Sequence, residues 1–260
     1  MPESVQETVR TQLDRGRAYL DKGKYDDAIA DYDKAIALDP NCARAYTNRG
    51  VAYFRKGAFD RAIADQSKAI ALDPNFATAY TMRGLAYGSK GEVDRAIADY
   101  TKAIALDPNF AAAYTIRGHA YASKGEVDLA IACYDKAIAL DPNVALAYIN
   151  RGVAYGRKGA FDRAIADYTK AIAVDPNSAS AYYNRGRAYY IKGEVDRAIA
   201  DSTKAIALDP KLASAHSIRG IAYEKKGDKE RAIADFRKAL EINPLDQVAR
   251  HYLKRLGVTP

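Results

Sequence analysis

Residues 96–109 read AIADYTKAIALDPN, and residues 130–143 read AIACYDKAIALDPN. The phrase returns at 164–177 as AIADYTKAIAVDPN. Prolines recur at Pro40, Pro74, Pro108, Pro142, Pro176, Pro210 and Pro244, always 34 residues apart. A fixed period of this length marks a repeat architecture. Counting each proline as slot 32 of a 34-residue frame gives seven units from Val9 to Asp246. Residues 1–8 precede them as an extension, and residues 247–260 follow as a capping helix and tail.

Each unit divides into two helical stretches. Slots 1–14 carry a large residue at slot 4, glycine at slot 8 and tyrosine at slot 11, all on one helical stripe. Glycine at slot 15, from Gly23 to Gly227, suits a left-handed helix stop. Slots 17–30 place Ala, Ile, an aromatic residue, Ala and Ile at 20, 21, 24, 27 and 28, again at helical spacing. Proline at slot 32 ends this stretch, and asparagine at slot 33 is expected to cap the next helix. So short a pair cannot bury its apolar face alone, whereas stacked pairs build one continuous core. Glycine at slot 8 and alanine at slot 20 are expected to let the paired helices approach closely.

The pattern resembles the tetratricopeptide repeat family. The third unit shows the whole signature: Tyr80, Gly84, Tyr87, Ala96, Tyr100, Ala103 and Pro108. The resemblance implies an all-α fold, a right-handed superhelical solenoid of antiparallel helix pairs. It also implies a concave groove lined by the first helix of each pair, and a role as a scaffold for peptides or partner proteins.

Two departures from the family pattern carry charge. Slot 7, usually leucine, is arginine in every unit, and slot 23 is aspartate in six. Both lie eight residues from the slot-15 glycine, so in an antiparallel hairpin they face each other. An arginine near the core needs a partner, which predicts an Arg–Asp pair inside each hairpin. The slot-19 arginine, four residues before the aspartate, is expected to share its carboxylate. In the fourth unit slots 19 and 23 are Leu129 and Cys133, so Arg117 is expected to lack its carboxylate.

The net charge of +7 belongs to the scaffold. Slots 7, 14, 19 and 26 hold 26 of the 40 basic residues, and slots 18, 23 and 31 hold 19 of the 33 acidic ones. The remaining charges balance. A nucleic-acid groove would instead gather unmatched basic residues along one strip, so nucleic acid is disfavoured as a partner. The chain has no apolar run long enough to span a membrane. Its polar start and its two isolated cysteines, Cys42 and Cys133, fit a cytoplasmic protein.

Shared slots cannot encode a particular partner, so specificity is expected in the variable slots of the first helix. By 100° steps these are 2, 6, 9 and 13, with 5 and 12 beside them. Toward the N-terminus they offer Arg44, Thr47, Asn48 and Arg55, and in the middle Thr81, Met82, Thr115, Ile116 and His119. Further on they offer Ile149, Asn150, Arg157, Tyr183, Asn184, Arg187 and Tyr190. Asn48, Asn150 and Asn184 share slot 6, where an amide can donate to and accept from one peptide group. The row is similar to the asparagine ladder of O-GlcNAc transferases; a solvated amide is the alternative reading. The carboxylate clamp of the chaperone-binding branch needs lysine at slot 5, which is never lysine here.

No histidine pair has metal-ligand spacing and no glycine-rich loop cradles phosphate. The sequence therefore reads as non-enzymatic and cofactor-free. Its expected partner is an extended peptide or a protein, acidic with a central apolar residue. The alternative is a self-assembling scaffold, which the outer row of alanines at slots 22 and 29 would suit.

Overall fold

The computed structural model describes residues 2–259, and among them the regular elements are fifteen α-helices with no strand. They divide into two compact units, one running to Glu126 and one beginning at Val127. The N-terminal unit holds α1 (Glu3–Asp21), α2 (Tyr25–Leu38), α3 (Ala43–Arg55), α4 (Phe59–Leu72), α5 (Ala77–Ser89), α6 (Val93–Leu106) and α7 (Ala111–Ser123). The C-terminal unit holds α8 (Val127–Leu140), α9 (Ala145–Arg157), α10 (Phe161–Val174), α11 (Ala179–Ile191), α12 (Val195–Leu208), α13 (Ala213–Lys225), α14 (Lys229–Ile242) and α15 (Gln247–Arg255). Residues 3–8, expected as an extension, are helical and continuous with α1.

Within each unit, consecutive helices pair as hairpins and each hairpin stacks on the next. The slot-15 glycine turns the chain: Gly91 has φ +80° and Gly159 has φ +75°, the region that L side chains avoid. The slot-8 glycine sets the helix separation. A Cβ on Gly84 would lie 2.6 Å from Cε1 of Tyr100, and one on Gly152 would lie 2.6 Å from Cε1 of Tyr168. Ala96 and Ala164 at slot 20 are buried beneath the same contacts.

The loop between hairpins is closed differently from the sequence expectation. The slot-33 asparagine does not cap the next helix. The slot-31 aspartate instead accepts from the backbone N–H of slot 33, as in Asn109 N to Asp107 Oδ1 at 3.0 Å and Asn177 N to Asp175 Oδ1 at 3.0 Å. This is an Asx turn, a side chain standing in for a backbone turn. The N-cap falls at slot 34, for which Phe76, Phe110 and Leu212 supply no side-chain cap. Lys211 at slot 33 keeps the same turn at 3.0 Å from Asp209, because the bond uses only its backbone.

Helix α15 covers the last pair. Leu253 and Ala249 are fully buried in a cluster with Phe236 and Ala239. The rings of Phe236 and Tyr252 stack at 5.1 Å. Asp246 caps α15 by accepting from Val248 N and Ala249 N at 2.9 and 3.0 Å, while its other oxygen accepts from the buried Ser217 hydroxyl at 2.8 Å.

Candidate functional site

The charges at fixed slots bind within the scaffold. In six hairpins the slot-7 arginine grips the slot-23 aspartate with two nitrogens, as in Arg151 Nε to Asp167 Oδ2 at 2.8 Å and Nη2 to Oδ1 at 2.7 Å. In the five of these that follow another hairpin its third nitrogen reaches slot 25 of the preceding one, as in Arg49 to Asp33 at 2.6 Å, Arg83 to Ser67 at 3.1 Å and Arg185 to Thr169 at 3.0 Å. The hydrogen bonds that Arg49 donates to Asp65 raise its pKa above the ordinary value against the opposing effect of burial, and those that Arg151 donates to Asp167 do the same. One guanidinium thus ties its own hairpin and joins it to the one before.

A second set of pairs joins successive hairpins at their tips. The slot-14 lysine meets the slot-18 aspartate of the preceding repeat: Lys90 with Asp60 at 2.6 Å, Lys124 with Asp94 at 2.7 Å, Lys192 with Asp162 at 2.5 Å. The slot-19 arginine does not share the slot-23 carboxylate as expected. Arg95 and Arg163 lie over the rings of Tyr87 and Tyr155, 5.4 and 5.6 Å from the centroids. Stacking keeps the cation wet on one side, whereas the buried carboxylate is already occupied on two oxygens by slot 7.

Arg117 lacks a carboxylate among the described residues. It donates to Thr101 Oγ1 at 3.3 Å and lies over Tyr114, and its buried Nε has no hydrogen-bond partner. Cys133 itself is buried.

The variable slots of the first helices fall into two groups. Thr47, Thr81, Thr115 and Ile149, expected to line the binding face, are buried. The Thr81 and Thr115 hydroxyls donate to Ala77 O and Ala111 O of their own helices. Slot 5 points toward the following repeat: Leu13 shares a cluster with Ala45 and Ala52, and Ile149 with Ala181 and Ala188. Each first helix packs against its partner and also against the next first helix, and a single-helix projection sees only the former. Slot 5 is therefore a packing position.

The remaining expected residues are accessible. In the N-terminal unit Arg44, Arg55 and His119 are exposed, and Asn48, Met82 and Ile116 are half-buried. Ile116 and Leu85 also pack against the cluster around Tyr100. Arg44 borders a cavity of about 420 Å³ together with Arg10, Leu13 and Asp14. In the C-terminal unit Arg157 and Arg187 are exposed, and Asn150, Tyr183, Asn184 and Tyr190 are half-buried. The side chains of Asn48 and Asn150 make no hydrogen bond within their units, whereas Asn184 Nδ2 donates to Ser180 O at 2.9 Å.

Arg157, Asn184 and Arg187 come together in the C-terminal unit. They line a cavity of about 310 Å³ with Val153, Gly156, Phe161, Tyr168 and Ile191. Burial holds the Tyr168 hydroxyl well above its ordinary pKa, so it stays neutral. Gly156, Phe161 and Ile191 were not among the sequence candidates. Among the described residues no group of three His, Cys, Asp or Glu side chains is placed to hold a metal ion. Among the described residues no helix is long and apolar enough to cross a membrane.

A family model described as TPR repeat matches residues 16–57, 52–91, 84–125, 118–159, 157–193 and 186–227, and one described as tetratricopeptide repeat matches 213–245. The chain is a tetratricopeptide-repeat protein. Members of this family are typically non-catalytic scaffolds that bind proteins or peptides. No curated protein matches the sequence. Among solved structures, the chain is similar to the APC/C hetero-tetramer Cut9–Hcn1 (TM-score 0.76, 22% identity, 94% of this chain and 51% of that one). It therefore spans about half the length of that chain. A tetratricopeptide repeat protein from Parabacteroides merdae is similar over 95% of this chain and 98% of that one, with TM-score 0.70 and 23% identity. YrrB, a TPR protein with an unusual peptide-binding site, is similar over 73% of this chain and 97% of that one, with TM-score 0.59 and 26% identity.

Proposed function

We propose that this tetratricopeptide-repeat chain is a non-enzymatic scaffold that binds a partner protein as an extended segment along the variable slots of its first helices. The observation that carries this reading is a contrast in how polar groups are used. Slots 7, 14 and 18, which barely vary, direct their charges into the scaffold. Arg44, Arg55, Arg187 and the amides of Asn48 and Asn150 sit at variable slots with no internal hydrogen bond or ion pair. Unsatisfied amides on a helix face can pair with a peptide backbone, and unpaired arginines favour carboxylates. The peptide-binding site of YrrB supports the same use of the fold.

The experiment is a pull-down from the native source, followed by affinity measurement of the recovered partner against wild type, Arg44→Glu and Asn150→Ala. Weaker binding by either variant, with unchanged thermal melts, is the expected result. Equal affinity for both would place the partner elsewhere. A self-assembling scaffold is the second reading, favoured by Leu245 at 74% and Leu146 at 56% exposure. Light scattering across a concentration series would show growth of the assembly if that reading holds.

A further inference from the structure

Residues 51–65 read VAYFRKGAFDRAIAD and residues 153–167 read VAYGRKGAFDRAIAD. The two hairpin tips differ at one position, Phe54 against Gly156. In the first, the Phe54 ring packs on Phe59, with centroids 5.6 Å apart. In the second, Phe161 occupies the place of Phe59, and Gly156 offers no ring to cover it. Phe161 instead lines the 310 Å³ cavity.

Nothing in the backbone requires glycine at 156. Gly152 is forced by Tyr168 and Gly159 by its positive φ, but a Cβ on Gly156 would meet nothing within 4 Å. Glycine inside a helix is destabilising relative to alanine. Its effect here is an opening between α9 and α11, walled by Val153 and Ile191, that has the chemistry of the missing phenylalanine. The cavity is at the small end of ligand sites, suited to one side chain. Its lining includes Arg157, Arg187 and Asn184 but no carboxylate.

We propose that this cavity receives one aromatic side chain of an extended partner segment, and that Arg187 holds a carboxylate of a neighbouring residue of that segment. The proposal rests on the scaffold reading above and adds the partner's chemistry: an aromatic anchor in an acidic context. The bound ring would take the place on Phe161 that Phe54 takes on Phe59. Aromatic pairs favour such tilted contacts, and the arginine pays for no partner exchange because it has no internal carboxylate to release.

The test uses three short fluorescein-labelled peptides of one serine-rich host sequence: one with Phe flanked by Glu, one with Ala for Phe, one with Lys for Glu. Anisotropy titrations are run on the full chain as wild type, Gly156→Phe and Arg187→Glu, with thermal melts. Wild type is expected to bind the Phe–Glu peptide at least about tenfold tighter than either control. Gly156→Phe should fill the cavity from within, lose that binding at least about tenfold, and melt no lower. Arg187→Glu should invert the preference between Glu and Lys. No preference for Phe over Ala in wild type, or wild-type affinity in Gly156→Phe, overturns the proposal. Arg187→Glu with an unaltered Glu preference removes the carboxylate contact even if Gly156→Phe misfolds. A native partner still held by Gly156→Phe but weakened by Arg44→Glu would leave the scaffold reading intact and this pocket unused.

Discussion

Arg83 clasps Asp99 across its hairpin, Nε to Oδ2 and Nη2 to Oδ1, both at 2.8 Å. The carboxylate side chain is 9% exposed and the arginine 20%. Two parallel bonds from a planar fork fix orientation as well as distance. Asp99→Asn keeps the shape but removes the charge and turns one acceptor into a donor facing the guanidinium. The expected loss is about 1–3 kcal/mol, below that of a fully dry pair because the arginine keeps some water. Chemical denaturation of wild type and variant measures it, and superimposable curves would refute it.

Arg117 is the same residue type at the same slot with no carboxylate. Its Nε is buried and unpaired, and its bond to Thr101 is long at 3.3 Å. Arg117→Met removes the orphan donor together with the guanidinium's contacts to Thr101 and the Tyr114 ring. The expected change is within about 1 kcal/mol of zero, of either sign, against a loss of about 1–3 kcal/mol for Arg83→Met, which strands Asp99. Equal losses for the two would mean the slot-7 arginine acts by packing rather than by pairing.

The Arg–Asp pair was legible because both residues are equidistant from the turning glycine, a symmetry internal to one hairpin. The slot-25 contacts and the Lys–Asp pairs at the tips were not. Lys90 and Asp60 are 30 residues apart, and their meeting depends on how one hairpin is seated on the next, which no single hairpin encodes. The same blindness placed Thr81 on the binding face: it is buried, and Leu13 and Ile149 at the same slot pack on the following repeat. The Asx turn was hidden for another reason. Asp107 acts on a backbone N–H, so the identity of Asn109 is no guide to it. Asn48, Arg44 and Arg187 were readable as variable and polar, whereas the cavity beside Gly156 depends on Phe161, a residue of the second helix.

Acid should act on the first hairpin through Asp31. Hydrogen bonding from Arg15 lowers its pKa from 3.8, against the opposing effect of burial. A folded-state pKa below the unfolded one gives stability that is full above the unfolded value and is lost as pH falls through the folded value. The gap in stability between wild type and Asp31→Asn should be widest at neutral pH and should narrow below about pH 4. A gap independent of pH between about 2 and 7 would show that ionisation of Asp31 does not contribute.

The end of the stack should depend on Asp246, which caps α15 and accepts from Ser217. Asp246→Ala loses a cap worth about 0.5–2 kcal/mol and leaves the buried Ser217 hydroxyl without its acceptor. Deleting everything after Asp246 should go further, exposing Phe236, because repeat arrays fail from uncapped ends. Hydrogen exchange should then quicken first in α13 and α14, and unchanged protection of residues 213–242 would contradict this.

The amides at slot 6 should separate by whether they are already engaged. Asn150 has no hydrogen bond within its unit, whereas Asn184 donates to Ser180 O at 2.9 Å. If a partner backbone lies along the first helices of the C-terminal unit, Asn150 can accept and can donate through both N–H groups, whereas Asn184 can accept but has only one N–H left to donate. A net hydrogen bond contributes about 0.5–1.5 kcal/mol, so Asn150→Ala should weaken binding about two- to tenfold. Asn184→Ala should weaken it less, since its replacement also frees a helix carbonyl to meet water. In the N-terminal unit Asn48→Ala should behave like Asn150→Ala if that unit contacts the partner too. All three side chains are partly solvated, so melting temperatures should stay close to wild type. Calorimetric affinities for the recovered partner decide it. Equal weakening by Asn150→Ala and Asn184→Ala would show that the amides act through shape alone, and no weakening by any would move the partner off slot 6.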